Sequence, residues 1–331
     1  MQKRRLLFIT SAILMALLFI LDIALGAVSI PPGEVWKALT GGDVPPTTRA
    51  IVIDIRLMKA IVAVAGGAAL SVSGLQMQTL FRNPLAGPYV LGISSGASLG
   101  VALFILASPF LAIPQWLSAA GVAGAAWIGA AAILLVISLV GHRIKDIMVI
   151  LILGMMFSSG VSAVVQILQY MSHEDALKSF VIWTMGSLGD VTPTQLWILL
   201  PAVAAGLIMA VAAIKPLNLL LFGEEYAVTM GLDTRRARTL LFISTTLLAG
   251  SVTAFCGPIG FIGLAIPHVC RMLFDDADHG VLVPATMITG ASVLLICDII
   301  SKTFTLPINS ITAMLGIPVV VWVVVKNSAR S

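Results

Sequence analysis

Gly92-Ile93-Ser94-Ser95-Gly96 matches a catalytic pattern, the G-x-S-x-G nucleophile elbow. An elbow requires a strand-to-helix turn and a His/Asp pair to activate its serine. Here the segment opens an apolar stretch, and no Asp or Glu occurs anywhere in 83–142. Small residues at a crowded helix crossing are the preferred account, ahead of an intramembrane serine hydrolase. Other chemistry lacks its residues. No lysine follows a glycine, so a phosphate-cradling P-loop is absent and the chain does not hydrolyse ATP by itself. His142, His173, His268 and His279 stand singly without an HExxH pair, and Cys256, Cys270 and Cys297 form no CxxC pair. Neither a metal site nor a cofactor is expected.

The remaining polar patterns concern passage rather than reaction. Gly154, Ser158, Ser162, Gln166 and Gln169 follow one another at steps of four, four, four and three, which keeps them on one helical face. A stripe of small and polar side chains inside an apolar helix avoids lipid. It is either a tight helix contact or the wall of a pathway. Asn83-Pro84-Leu85 opens a run to Pro88 that forbids continuous helix and forms a stiff turn, a hairpin or a gate. Arg56, Lys59 and Lys302 stand at outer helix ends, where cations either snorkel to headgroups or attract acidic groups on a docking protein.

These residues need elements to hold them, and the composition says of what kind. Hydrophobic residues make up 59% of the 331 positions and charged residues only 10%, which excludes an ordinary water-soluble fold. The charge-free stretches 60–81, 83–142, 147–173, 191–214, 239–270 and 303–325 each reach the length of about 20 residues that spans a bilayer. The apolar run Leu6 to Val28 is too long for a signal peptide and reads as an uncleaved first helix. Ten spans are expected, at about 6–28, 57–80, 90–107, 115–140, 146–170, 193–213, 238–256, 259–273, 281–299 and 308–326. The long stretches divide at Pro109 to Gln115 and at Cys256-Gly257-Pro258, and the short eighth segment leaves a re-entrant pair open.

With ten spans, six cations (Lys37, Arg49, Arg56, Lys59, Lys178, Lys302) lie opposite the N-terminal side and the remaining thirteen of nineteen lie on it. That imbalance puts both termini in the cytoplasm. Basic loops beside an anionic bilayer also explain the net charge of +4 without nucleic acid. The whole chain, 1–331, reads as one all-α membrane domain. Its largest cytoplasmic connection, about 214–238, carries short amphipathic helix.

The residues from Ile55-Arg56-Leu57 through Gly74-Leu75-Gln76-Met77-Gln78, Leu80-Phe81-Arg82-Asn83-Pro84-Leu85-Ala86 and Leu91-Gly92-Ile93-Ser94-Ser95-Gly96-Ala97 closely resemble the FecCD-type permeases of ABC importers for iron-siderophores, haem and vitamin B12. Further matches follow in order: Trp183 to Leu188, Leu217 to Leu220, Gly223-Glu224-Glu225, Gly257 to Leu264, Pro267-His268, Asp278-His279 and Gly316-Ile317-Pro318. The resemblance implies a type II importer fold with ten helices and an inverted repeat, two copies around a central pathway, two ATP-binding cassette ATPase subunits beneath, and an extracytoplasmic substrate-binding protein above. It implies docking at Arg56, Lys59 and Lys302, a cytoplasmic gate at Asn83, Pro84 and Leu85, and a pathway wall along Gly154, Ser158, Ser162, Gln166 and Gln169. ATPase coupling is implied at Gly223, Glu224, Glu225 and Gly231.

Two departures stand out. Met58-Lys59 replaces the family's Pro-Arg, and Asn309 stands where the family usually has Gly. The competing expectation is an ion-gradient-driven transporter, for which only Asp22 and Asp298 are candidate coupling acids.

Overall fold

A computed structural model of the chain describes residues 2–107, 115–141, 144 and 146–328. The expected break between Pro109 and Gln115, together with His142, Arg143, Lys145 and Arg330, lies outside the described residues.

Each expected span is met by a helix. They are α1 (Gln2–Ala24), α2 (Met58–Leu80, entered through a π-helical turn Ile51–Leu57), α3 (Ile93–Ile105), α4 (Gln115–Gly141) and α5 (Ile147–Met171). They continue as α6 (Pro193–Ala212), α7 (Thr234–Cys256), α8 (Ile262–Phe274), α9 (His279–Phe304) and α10 (Ile308–Ser328). Helices α1, α5, α6, α7 and α9 are long and apolar enough to cross a bilayer by themselves. Their starts are chemically marked. Asp146 accepts Met148 N–H at 2.8 Å, Thr192 and Gln195 form a reciprocal capping box, and Asp278 accepts Gly280 N–H at 2.9 Å.

Helix α2 is the hub. From Gly66 to Leu80 every residue is buried, polar ones included. The buried Gln76 amide donates to Ser244 Oγ at 3.0 Å and accepts from Thr245 Oγ1 at 3.1 Å, while Ser244 donates to Gly206 O at 2.9 Å. One amide thus ties α2 to α6 and α7, and no polar atom of that side chain is left facing hydrocarbon. By contrast α1, α5 and α6 carry rows of exposed Leu, Ile, Val and Met and form the rim.

Helices α3 and α8 are short, 13 residues each, and both are entered through unwound chain. A 3-10 turn Pro88–Leu91 and Gly92 (φ 74) precede α3, which shortens the expected third span. Gly257 (φ 74) through Phe261 (φ 65) precede α8, so the expected break after Cys256 is present. At about 1.5 Å per residue a 13-residue helix covers only ~20 Å. Non-helical backbone is tolerated at membrane depth only where protein or a cavity surrounds it. The glycine of the apparent elbow serves packing: a methyl placed on Gly96 would lie 2.6 Å from Ile133 Cγ1 on α4. That is the close small-residue crossing expected from the sequence.

Candidate translocation surface

The two unwound entries touch through Tyr89 and Ile259 and together line a cleft of about 590 Å³. Its walls are Leu85, the turn Gly87 to Val90, Ser94 and Ser95 at the start of α3, Met155, Ser158 and Ser159 on α5, and Ile259, Phe261, Gly263 and Leu264. Leu85 of the Asn83-Pro84-Leu85 turn and Ser158 of the α5 stripe, which the sequence treats as separate features, therefore meet at one surface.

The α5 residues divide by their place around the helix. Gly154 is buried against the Val90 and Leu91 backbone, where a methyl would lie 3.3 Å from Leu91 Cα. Ser158 borders the cleft, its hydroxyl donating to Gly154 O at 2.8 Å. Ser162 and Gln166 are exposed, and Gln169 is half-buried. Steps of four drift about 40° per turn on a 3.6-residue helix, so the stripe begins in a helix contact and rotates into the open. Met156, Val164, Ile167 and Met171 lie on the opposite face and are exposed and apolar. The helix thus shows one lipid-compatible face and one polar face.

Tyr89, Ser94, Ser95, Ser159 and Phe261 also line the cleft and were not singled out for it from sequence. Ser159 had a readable signal, since it lies next to Ser158 and on the same turn as Met155. Ser94 and Ser95 were set aside with the false elbow. Tyr89 and Phe261 depend on distant chain. The Tyr89 hydroxyl donates to Ile259 O at 3.0 Å and accepts from Ile259 N–H at 3.3 Å, pinning the unwound link. Asn309 Oδ1 accepts Gly260 N–H at 2.9 Å. The unusual asparagine therefore adds a polar contact that holds the link beside Phe261, whose positive φ is uncommon for a bulky residue and clusters with functional sites.

The turn at Asn83, Pro84 and Leu85 is fastened rather than loose. Asn83 Oδ1 accepts Leu85 N–H at 2.9 Å, closing an Asx turn. His268 Nε2 lies 2.7 Å from Pro84 O, which as a carbonyl can only accept, so that nitrogen carries the proton. Arg271 donates to Gln78 Oε1 at 2.6 Å and Gln78 Nε2 to Leu264 O at 3.0 Å. Helix α8 thus runs from the cleft, where Phe261 precedes it, to His268 on the Pro84 turn and Arg271 on the end of α2.

On the connection 214–238, two short helices, Ile214–Leu220 and Glu224–Thr229, flank Gly223 (φ 104). Glu224 is held by Arg238 through Nε–Oε1 at 2.8 Å and Nη2–Oε2 at 2.5 Å, a bidentate pair. Glu225 and Gly231 are exposed, and so are Phe222, Tyr226, Val228 and Met230. Below, Asn218 Nδ2 donates to Asp278 Oδ1 at 2.7 Å and Asn218 Oδ1 accepts His279 N–H at 2.9 Å. The Gly280 N–H bond, followed by Asn218, holds the Asp278 carboxyl below its ordinary range.

Arg56 and Lys302 converge on the end of α1, and Lys59 joins them through Asp298. Arg56 is 3% exposed; its guanidinium donates to Ile23 O at 3.1 Å, Ala24 O at 2.8 Å and Val28 O. Lys302 Nζ reaches Asp22 O at 2.6 Å, Asp22 Oδ1 at 2.7 Å and Asp298 Oδ2 at 3.1 Å. Lys59 Nζ lies 3.5 Å from Asp298 Oδ1 and its side chain is 21% exposed. Within the chain the Lys59 side chain is the most exposed of the three, at 21% against 8% for Lys302. Arg56 and Lys302 are engaged inside the chain because the C-terminal carbonyls of α1 and two buried carboxylates need partners there.

Residues 14–326 match the FecCD transport family. The chain belongs to that family. It is 36% identical over 326 residues to the hemin transport system permease protein HmuU of Yersinia pestis, covering 95% of this chain and 94% of the relative. It is also 36% identical over 333 residues to the vitamin B12 import system permease protein BtuC of Klebsiella pneumoniae, covering 99% and 96%. Among solved structures, a metal-chelate type ABC transporter in an inward-facing conformation superposes with a TM-score of 0.83 at 27% identity, covering 97% of this chain and 99% of that one. As a FecCD member the protein is a multi-pass ABC transporter permease with the type II importer fold.

Proposed function

We propose that two copies of this permease face one another across the cleft and form the pathway of an ATP-driven importer for metal-chelate nutrients, the class of iron-siderophores, haem and cobalamin. The observation that carries this reading is the exposed polar face of α5 beside the hydroxyl-lined cleft. The Ser158 and Ser159 hydroxyls bond back to carbonyls of their own helix, but the Gln166 and Gln169 amides would lack partners in hydrocarbon, so this face needs water or protein opposite it. Walls of Ser, Met, Tyr and Phe bind a bulky ligand weakly, which suits a pathway that must also release it. The relatives named for hemin and vitamin B12 support the substrate class.

In this reading Asn83, Pro84 and Leu85 are the cytoplasmic gate, and Ser158, Ser162, Gln166 and Gln169 line the pathway, with Gly154 seating α5. Two ATP-binding cassette subunits supply the energy. They grip the segment about 214–238, where Gly223, Glu224, Glu225 and Gly231 shape a knob whose exposed Phe222, Tyr226, Val228 and Met230 fit an apolar cleft. An extracytoplasmic binding protein docks on the outer face through Lys59, with Arg56 and Lys302 holding α1 beneath it. The permease sits in the cytoplasmic membrane with both termini in the cytoplasm, and it works with lipid and protein partners and no nucleic acid. The ion-gradient alternative loses its coupling acids, because Asp22 and Asp298 are already committed to Lys302 and Lys59.

Uptake of haem, cobalamin and a ferric siderophore into proteoliposomes, with and without the ATPase subunits that co-purify from native membranes, tests the reading. ATP-dependent uptake of one chelate is expected; uptake driven by a proton or sodium gradient alone would refute it.

A further inference from the structure

Helix α2 ends in a cap that contains the wrong residue for its shape. Asn83 N–H bonds back to Gln78 O at 3.1 Å and Arg82 N–H to Thr79 O at 3.2 Å, the paired bonds of a Schellman motif. The residue between them must be left-handed, and glycine usually takes that position because it has no Cβ to strain. Here it is Arg82, with φ 48. A side chain kept where none is favoured points to a use for that side chain.

The guanidinium shows where the use lies. A methyl placed on Gly223 would stand 3.3 Å from Arg82 Nη1 and 3.9 Å from its Cζ, so the arginine head rests against the residue that opens the helix Glu224–Thr229. Gly223 itself has φ 104 and leaves the arginine that room. The neighbouring Glu224 pairs with Arg238, and among the described residues no ion pair joins it to Arg82. Arg82 is exposed, and among the described residues no hydrogen bond or ion pair fastens its head, which leaves the approach to Gly223 as the contact through which it meets this segment. On the other side Arg82 is bonded directly to Asn83, the first residue of the gate loop.

We propose that Arg82 is the positioning residue that links the ATPase-coupling segment to the cytoplasmic gate: displacement of Gly223 presses on the guanidinium and turns the left-handed hinge that carries Asn83, Pro84 and Leu85. The inference rests on the reading of 214–238 as the ATPase-gripping segment. Because the hinge residue is itself the lever, no second element has to pack between the segment and the gate.

The variant that separates lever from scaffold is Arg82→Gly. It suits the backbone better than arginine and removes only the head. The permease–ATPase complex is purified and reconstituted with wild type, R82G, R82A and R82K chains. ATP hydrolysis, chelate taken up per ATP and the melting temperature of the complex are then measured. We expect R82G to melt at or above wild type and to hydrolyse ATP, while chelate per ATP falls about tenfold, within the usual range of coupling between sites. R82K, which keeps a long cationic arm, recovers part of the ratio. A wild-type ratio in R82G overturns the proposal, and so does a loss of ratio that merely tracks a fall in melting temperature. A wild-type chain that recruits no ATPase refutes the coupling reading itself, and this one with it.

Discussion

Replacing Lys302 by methionine removes the cation on which two buried carboxylates close. Lys302 Nζ lies 2.7 Å from Asp22 Oδ1 and 3.1 Å from Asp298 Oδ2, and the side chains of Asp22 and Asp298 are 0% and 1% exposed. Without it Asp298 keeps only Lys59, at 3.5 Å, and Asp22 keeps no cation among the described residues. Removing one partner of a buried ion pair costs about 3–5 kcal/mol, because the charge left behind has been taken from water without compensation. At roughly 2–4 °C per kcal/mol for larger domains, K302M should melt about 6–20 °C below wild type. The assay is intrinsic tryptophan fluorescence of the isolated permease in detergent during a thermal ramp, with no partner present. Substituting asparagine for both acids in the same chain removes the stranded charge and should restore most of the loss. If K302M melts with wild type, Lys302 is held for an outside partner and not for α1. If the triple variant melts no higher than K302M, the charge argument fails.

Gly74→Ala tests the tightest crossing in the hub, where an added methyl would lie 2.7 Å from Gly263 Cα. Overpacking should cost about 1–3 kcal/mol in the same thermal assay and displace α8, and a neutral result would contradict the backbone-to-backbone approach. Asp278 predicts a pH dependence. Its folded pKa is depressed, so its cap on α9 contributes stability above the unfolded value near 4 and loses it as pH falls through that value toward the lower folded one. D278N should therefore flatten the fall in melting temperature between about pH 5 and 3, and a slope equal to that of wild type would remove Asp278 from the account.

Much of this protein is legible in its sequence, because a bilayer imposes a strong constraint. Backbone polar groups cannot be left open in hydrocarbon, so charge-free runs of sufficient length become helices, and Pro-Gly clusters and Asp or Thr caps mark where they end. The motif runs around Gln76, Asn83 and Gly257 are similarly local strings, and they carry the family. Where the sequence fails, the cause is partnership between distant segments. Periodicity puts Gly154 and Gln166 on one stripe, yet only packing against Val90 and Leu91 sends the first into a contact and leaves the second in the open. Charge alone makes Arg56 and Lys302 appear to face outward. Whether a cation meets water or an internal acceptor depends on what the fold brings beside it, and here that is the end of a helix more than 20 residues earlier for Arg56 and about 280 earlier for Lys302. The cleft is likewise a tertiary product, since Leu85, Ser94, Ser158 and Phe261 are separated along the chain and become neighbours only because α3 and α8 both start part-way through the bundle.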